Sequence, residues 1–599
     1  MRITRLFLTF LLFLSANNLM AQETGGISNQ KGEKLLIELE ELSKKKTPLG
    51  RLVNEMVVFR KPKAQSSLQK QGYTENIWAP HEGKVVRSIK IVGLDVFGLK
   101  TVKATNPYKK TFFKIGDGLH VKTQRVVIRN MILFKNGDVL DPLAIGESER
   151  LLRSAAFIYD AKILASETDS FSADSIDITV IVRDRWSIGA ALSYNPLNLK
   201  GRVKLQELNF LGLGHAITLG AGFQNIPFER QGLEVQYNIP NVTYYNLNGR
   251  VAYEDFDGVS KLTFGGGRDF FSPSTEFAGG ASFKLLQNNS PFLYTKYPAE
   301  ELPVKAFIQD YWIGFSPGRG DKVKPKIAIR VVNTKYTQRP DTGHVTYQDN
   351  TMYLFGVGVN NRLFYRDAYL YNLGVTEDVS AGNLAAVIMG VRVRELETLP
   401  YLGGRYAIAN HQRRGGYLFG SLDAGTFYKG NIPVEGVVSA DLKLISRLQT
   451  INGWGWRTFI GQRYSKRFSS VTNPSFTLNT RREIRGITIT PPEGNQKIVW
   501  NAESVFFPPF KLAGFTFAFK AYADVAIITP EAISLKDGEV YPAFGIGIRF
   551  KNEHLVFRAI QVSLSYFPKG PNPFKLVEND SNVFGFNKLN YSKPGVVSF

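Results

Sequence analysis

The stretch GFTFAFKAYADVAII, residues 514–528, decides how this chain is read. Phe515, Phe517, Phe519, Ala521 and Ala523 fall on one side of an extended segment, and Thr516, Ala518, Lys520, Tyr522 and Asp524 on the other. Successive side chains of a strand point to opposite faces. One face here is wholly apolar, while the other carries a lysine, a tyrosine and a carboxylate. In a transmembrane barrel the first face meets lipid and the second lines the lumen.

The same texture recurs along most of the chain. In WSIGAALSY, residues 186–194, Trp186, Ile188, Ala190, Leu192 and Tyr194 oppose Ser187, Gly189, Ala191 and Ser193. In YPAFGIGIRF, residues 541–550, Phe544, Ile546, Ile548 and Phe550 point outward and Gly545, Gly547 and Arg549 inward. Clusters of Gly, Asn, Asp and Pro separate such runs from residue 186 to residue 599. A soluble array of β-sandwiches is the competing reading, and the aromatic strand ends and the length of the array make it the poorer one. Runs at 497–508, 514–528, 541–550, 557–568 and 583–599 predict five strands in the last hundred residues, with eleven to fourteen before them. An even total is needed if both ends lie on one side, so the expectation is an all-β barrel of about 16 antiparallel strands.

Composition agrees with that reading. The 599 residues include 43 Phe, 26 Tyr and 55 Gly but only 6 Met, which suits lipid-exposed β-structure better than a helical core. Cysteine is absent, which excludes disulfides, thiolate metal sites and a cysteine-linked lipid anchor. The net charge of +22 is spread along the chain rather than gathered in a stripe. Outer-membrane lipid head groups and lipopolysaccharide are therefore the expected partners, and nucleic acid is not. Residues 1–21 read as a signal peptide, with Arg2 and Arg5 before a short apolar run too short to span about 30 Å of hydrocarbon. Residues 22–82 read as a helical segment and linker, with Leu35, Leu36, Leu39 and Leu42 at helical spacing.

Residues 83–185 read as a small α+β unit with the order strand, helix, helix, strand, strand. KVVRSIKIVGL opens it, and Val85, Arg87, Ile89 and Ile91 are expected on one face of its first strand. Asp141 followed by Pro142 marks the start of the second helix. The unit resembles a polypeptide-transport-associated (POTRA) domain in VVRSIKIVGL, FKNGDVLDP, LLRSAAFIYDAKI and DITVIVRDRW. A sheet edge beside a helix can pair with an extended polypeptide, so Val85, Arg87, Ile89 and Ile91 are the expected client-binding edge. A spacer without a client is the alternative.

The run RREIRGITITPPEGNQ, residues 481–496, interrupts the barrel pattern with arginines, a glycine and a proline pair. Folded inward, it would bring Arg485 to the lumenal Asp524, with Gly486 relaxing the backbone beside it and Glu503 on the same inner wall. This loop, the lumenal Asp524 and the preceding α+β unit together resemble the bacterial surface antigen superfamily of BamA/TamA-like outer-membrane assembly factors. The resemblance covers residues 83–599. It implies that Arg485, in the sequence Ile484-Arg485-Gly486-Ile487, anchors an infolded extracellular loop on Asp524. Ile487 stands where that family usually has an aromatic residue. The turn LNFLGLGH, residues 208–215, resembles the family's early periplasmic turn, and Phe599 suits the terminal aromatic of a barrel. Pro594 within the expected last strand would weaken its pairing.

No nucleophile elbow, phosphate loop or histidine pair at metal-ligand spacing occurs, so no catalytic residue, metal or cofactor is expected and the chain is not read as an enzyme. GRGD at residues 318–321 and TEDVSAG at 376–382 read as ordinary loop content. The resemblance implies a barrel of the bacterial outer membrane, with its α+β unit in the periplasm. It would assist insertion or translocation of unfolded or extended polypeptide clients, with periplasmic or lipoprotein partners left open. A passive or gated pore, or a lipid-handling barrel with a structural α+β unit, are the alternatives.

Overall fold

The computed structural model describes residues 57–59, 78–94, 96, 121–167, 174–195, 200–224, 229–241, 245–256, 258–288, 303–317, 323–339, 347–411, 416–468, 476–478, 483–487, 489, 492–512, 515–530, 533–552, 560–578, 584 and 589–597. The expected signal peptide, the leucine stripe at 35–42, the GRGD run and Phe599 lie outside the described residues.

A single antiparallel sheet of 23 strands dominates the molecule, and three of those strands are segments of only three residues. Among the described residues this leaves twenty main strands, not sixteen. They run in chain order: Ile188–Asn195, Lys200–Phe210, His215–Gln224, Glu229–Ile239, Asn248–Phe256, Val259–Arg268 and Phe277–Asn288. Val304–Phe315, Lys324–Gln338, Asn350–Asp367, Glu377–Arg394, Thr398–His411, Gly416–Lys429, Ile432–Ser446 and Trp454–Phe468 follow. After the odd loop come Gln496–Phe507, Phe515–Thr529, Glu539–Asn552, Ile560–Tyr566 and Phe574–Glu578. Five strands thus follow the loop, and fifteen precede it. The extra ones come from tight connections: one residue pair separates Phe256 from Val259, and another Lys429 from Ile432, with Gly258 and Gly430 at positive φ.

The fifth strand after the loop differs from expectation. Its five residues, Phe574–Glu578, pair with Val562–Tyr566, and the segment 589–597 is not a strand. Pro594 lies in that segment and offers no amide donor to a ladder.

Alternation sets an outer and an inner face. On Asn350–Asp367 the exposed side chains are Tyr353, Phe355, Val357 and Val359, and the buried positions between them are Leu354, Gly356, Gly358 and Asn360. The exposed apolar row continues around the sheet through Ile327, Ile329, Val387, Met389, Leu402, Tyr406, Leu442, Leu444, Ile546 and Ile548. The sheet curls around its inner face: Arg457 of one strand pairs with Asp367, five strands away, at 3.1 Å. No helix is long and apolar enough to cross a membrane.

The α+β unit has a three-stranded sheet, with Ser175–Asp184 between Val85–Leu94 (parallel) and Ile158–Glu167 (antiparallel). Helices Arg125–Asn130 and Pro142–Ser154 cover it, and the Asp141 carboxylate caps the second by accepting from Leu143 N at 2.8 Å. Its core joins Trp78, Val86, Ile128, Ile145, Leu152, Phe157, Ile176, Ile178 and Val180. The expected client edge is split. A register shift between Val86 and Ser88 is a bulge at Arg87, which moves the side chains beyond it to the other face. Val86, Ile89 and Ile91 therefore pack on the core, while Val85 and Arg87 are exposed.

Two joints hold this unit against one end of the large sheet. In the turn after Lys200–Phe210, Gly212 O accepts from Gln124 N at 2.9 Å, and Asn209 Nδ2 donates to Val121 O at 3.1 Å. Helix Pro142–Ser154 forms the other: Arg153 donates to Asp378 at 2.7 and 2.9 Å, Arg366 pairs with Glu149 at 2.6 Å, and Arg150 donates to Phe271 O at 3.0 Å. At residues 57–59, within the segment read as helix and linker, a short strand instead pairs with Phe510–Leu512 at this same end.

Candidate functional site

The loop between Trp454–Phe468 and Gln496–Phe507 turns inward, and the structure brings Arg485 to the inner wall. On Phe515–Thr529 the period-2 alternation puts Lys520, Tyr522 and Asp524 on that wall. The neighbouring strand sets Asn501 opposite Asp524 and Glu503 opposite Tyr522. Asn501, Glu503, Tyr522 and Asp524 thus form one patch, two residues apart on each strand.

Arg485 fills it. Its Nε donates to Asp524 Oδ2 at 2.8 Å and its Nη2 to Asp524 Oδ1 at 2.7 Å, a forked pair that fits a planar carboxylate. Its backbone N–H also donates to Asp524 Oδ2 at 3.0 Å, and Nη1 pairs with Glu503. The guanidinium stacks over the Tyr522 ring, 3.7 Å from the centroid. Arg485 is 3% exposed and Asp524 0%, so these charges have left water and depend on each other. Asn501 Nδ2 adds a further donor to Asp524, giving hydrogen bonds to Asp524 Oδ1 at 2.7 Å and Glu483 O at 2.9 Å.

Of the neighbours of this centre, the sequence placed Lys520 and Arg549 inward without joining them to it, and Lys497 and Glu483 were not singled out. Lys520 and Arg549 approach Glu503 at 3.7 and 3.8 Å, and Lys497 pairs with the buried Glu483 at 2.8 Å. Each is a charged residue at an inward position of its strand, and that inward register was the signal available. Ile484 and Ile487 pack with Phe476, Leu478, Val499, Ala526, Tyr541, Ala543 and Phe567, so Ile487 fills an aliphatic and aromatic pocket on its own. Gly486 has φ +80°, and a Cβ there would overlap the Ser565 side chain, so conformation and space both demand glycine.

The expected client edge lies elsewhere, on the α+β unit. Arg87 Nε donates to Asp177 Oδ1 at 3.0 Å, and Ser88 Oγ donates to the same oxygen at 2.7 Å. Val85 forms an isolated bridge with Val139, and Val86 exchanges backbone bonds with Gly137 and Asp138. From Ser88 onward no further pairing on that second side occurs among the described residues. Of the carboxylates in the 376–382 run, Glu377 accepts from the N–H groups of Leu370, Tyr371 and Asn372, and Asp378 holds Arg153. Both are structural ties of the turn and the joint. No group of three or more metal-binding side chains occurs among the described residues.

No family model matches the chain, and no curated protein matches it by sequence. Among solved structures, CdiB from Escherichia coli is similar at 11% identity and TM-score 0.37, over 91% of this chain and 97% of that one. CdiB from Acinetobacter baumannii is similar at 12% identity and TM-score 0.34, over 83% and 73%. BamA from Haemophilus ducreyi lacking POTRA domains 1–3 is similar at 10% identity and TM-score 0.31, over 83% of each chain.

Proposed function

We propose that this chain is a BamA/TamA-like barrel of the bacterial outer membrane that assists insertion or translocation of polypeptides, without nucleotide or cofactor. The observation that carries the reading is the infolded loop, pinned by Arg485 to Asp524 and Glu503 on the inner wall. A surface loop has no use for a desolvated guanidinium with a forked carboxylate partner. A loop that must keep a wide lumen ordered does. The continuous apolar outer row supports immersion in lipid. The α+β unit, read as a periplasmic POTRA domain, supports client capture through the edge of Val85–Leu94 beyond the bulge. The first and last strands of the wall are short, eight and five residues, and among the described residues each pairs with a single neighbour, Lys200–Phe210 and Ile560–Tyr566. Their other edges are where a client strand would pair.

Reconstitution tests this reading. Proteoliposomes holding the full chain should fold an added unfolded outer-membrane barrel faster than empty liposomes, and the Asp524→Arg variant should lose that gain. Equal rates with and without the protein would sink it. A gated pore is the second reading, favoured by the lumen contents described next; client-independent conductance with no effect on folding would select it.

A further inference from the structure

The chain's last described residues lie inside the barrel, not in its wall. Phe584 is buried against Phe459, ring centroids 5.6 Å apart, and its carbonyl accepts from Tyr371 Oη. From there residues 589–597 follow the inner face of four strands, moving away from the docked α+β unit. Asn360 Nδ2 donates to Leu589 O at 3.2 Å, Lys326 Nζ to Tyr591 O at 3.3 Å, and Arg330 Nη1 to Pro594 O at 3.1 Å. At the far end Val597 N donates to Tyr401 Oη at 2.8 Å.

These bonds share one design. Wall side chains address the segment's backbone, so they recognise an extended chain largely regardless of its sequence. Three contacts add selectivity, one of them from Lys326 Nζ to Asn590 Oδ1 at 3.2 Å. The Tyr591 ring sits in a notch left by Gly356 and Gly358; a Cβ at Gly358 would stand 2.8 Å from the ring. Lys593 Nζ meets Asp310 at 2.8 Å, a carboxylate that Arg330 also holds at 2.7 Å. The fit is incomplete, since the buried Tyr591 hydroxyl has no hydrogen-bond partner among the described residues. A buried hydroxyl left unpaired weakens the hold of the tyrosine.

We propose that the inner wall from Val304–Phe315 to Thr398–His411 is a binding groove for an extended polypeptide carrying an aromatic residue with a basic one two positions on. The chain's own residues 589–597 are its resident, displaceable occupant, and they close the lumen. This rests on the barrel reading above but on no client, so it stands or falls separately in purified protein.

The test is conductance of the full-length protein in planar bilayers, with folding followed by heat-modifiable gel migration. Tyr591→Ala should raise conductance severalfold, and a synthetic LNYSKPGVV peptide, the sequence of residues 589–597, should lower it again. The same peptide with alanine for tyrosine should not, and Tyr591→Phe should stay closed. Because the chain has no cysteine, Gly358→Cys with Tyr591→Cys gives an internal control: closed when oxidised, open when the same molecules are reduced. Conductance indifferent to Tyr591→Ala and to reduction of the cysteine pair, or a peptide without effect on the open variant, would overturn the groove.

Discussion

Arg485 and Asp524 lie 39 residues apart in sequence and meet through two parallel side-chain hydrogen bonds and a third from the Arg485 backbone, with neither group open to solvent. The loop's position therefore hangs on a pair that cannot be halved without stranding a charge.

Removing one member should show that. Arg485→Ala leaves Asp524 with Asn501 but no cation, and Glu503 with only its longer contacts to Lys520 and Arg549, and loss of one partner from a buried pair costs about 3–5 kcal/mol. The expected outcome is a lower thermal midpoint in detergent and new protease cleavage within residues 481–496. Asp524→Asn, which keeps the shape and loses the charge, should cost less than Asp524→Ala. An unchanged midpoint in all three variants would show that other contacts hold the loop.

Gly486 offers a steric test of the same arrangement. Gly486→Ala forces an L side chain to φ +80° and into Ser565. The strained backbone alone costs about 1 kcal/mol or more. Ser565→Gly should recover the overlap part of the loss and leave the backbone part, giving partial rescue in a thermal melt. Full rescue would assign the whole effect to crowding.

The joint between the α+β unit and the barrel centres on Arg153, which pairs with both Glu149 and Asp378. Arg153→Ala should raise hydrogen exchange across Pro142–Ser154 while the barrel melt stays near that of the parent chain. Exchange confined to residues beside position 153 would mean that the turn at Gly212 carries the joint alone.

On the α+β unit, hydrogen bonds from Arg87, and then from Ser88, hold the Asp177 carboxyl below the ordinary aspartate range. For an acid with a depressed folded value, the stabilisation is present above the unfolded value of about 3.9 and is lost as pH falls through the lower folded one. Carboxyl carbon shifts should titrate below about 3.9 in the parent, and Arg87→Gln should move the midpoint upward. A midpoint that ignores the substitution would remove Arg87 as the cause.

The parts of the site legible in the sequence were those enforced by charge. An aspartate among phenylalanines on one strand and an arginine beside a glycine in a loop are hard to place anywhere but inward, and the structure brings them together. Strand count was less legible, because the two-residue connections at 257–258 and 430–431 break long alternating runs without any visible gap. Gly258 and Gly430 were the available signals. The bulge at Arg87 is a backbone event with no compositional mark, and it turned Ile89 and Ile91 from edge to core. Residues 583–599 alternate well enough to pass as a strand, yet Pro594 spoke against a ladder. That the segment lies along the inner wall follows from Gly356 and Gly358 of one strand and polar side chains of others, far from it in sequence, a relationship no local pattern records.

The central claim is that the chain handles extended polypeptides at the outer membrane, and photocrosslinking in living cells tests it most directly. Probes belong at Arg87 and Lys90, exposed on the edge strand, and on the short last strand at Leu576. The account predicts nascent outer-membrane or secreted polypeptides trapped at both places. Crosslinks only to lipid, or only within the chain itself, would contradict it and leave Arg485 as a strut inside a pore.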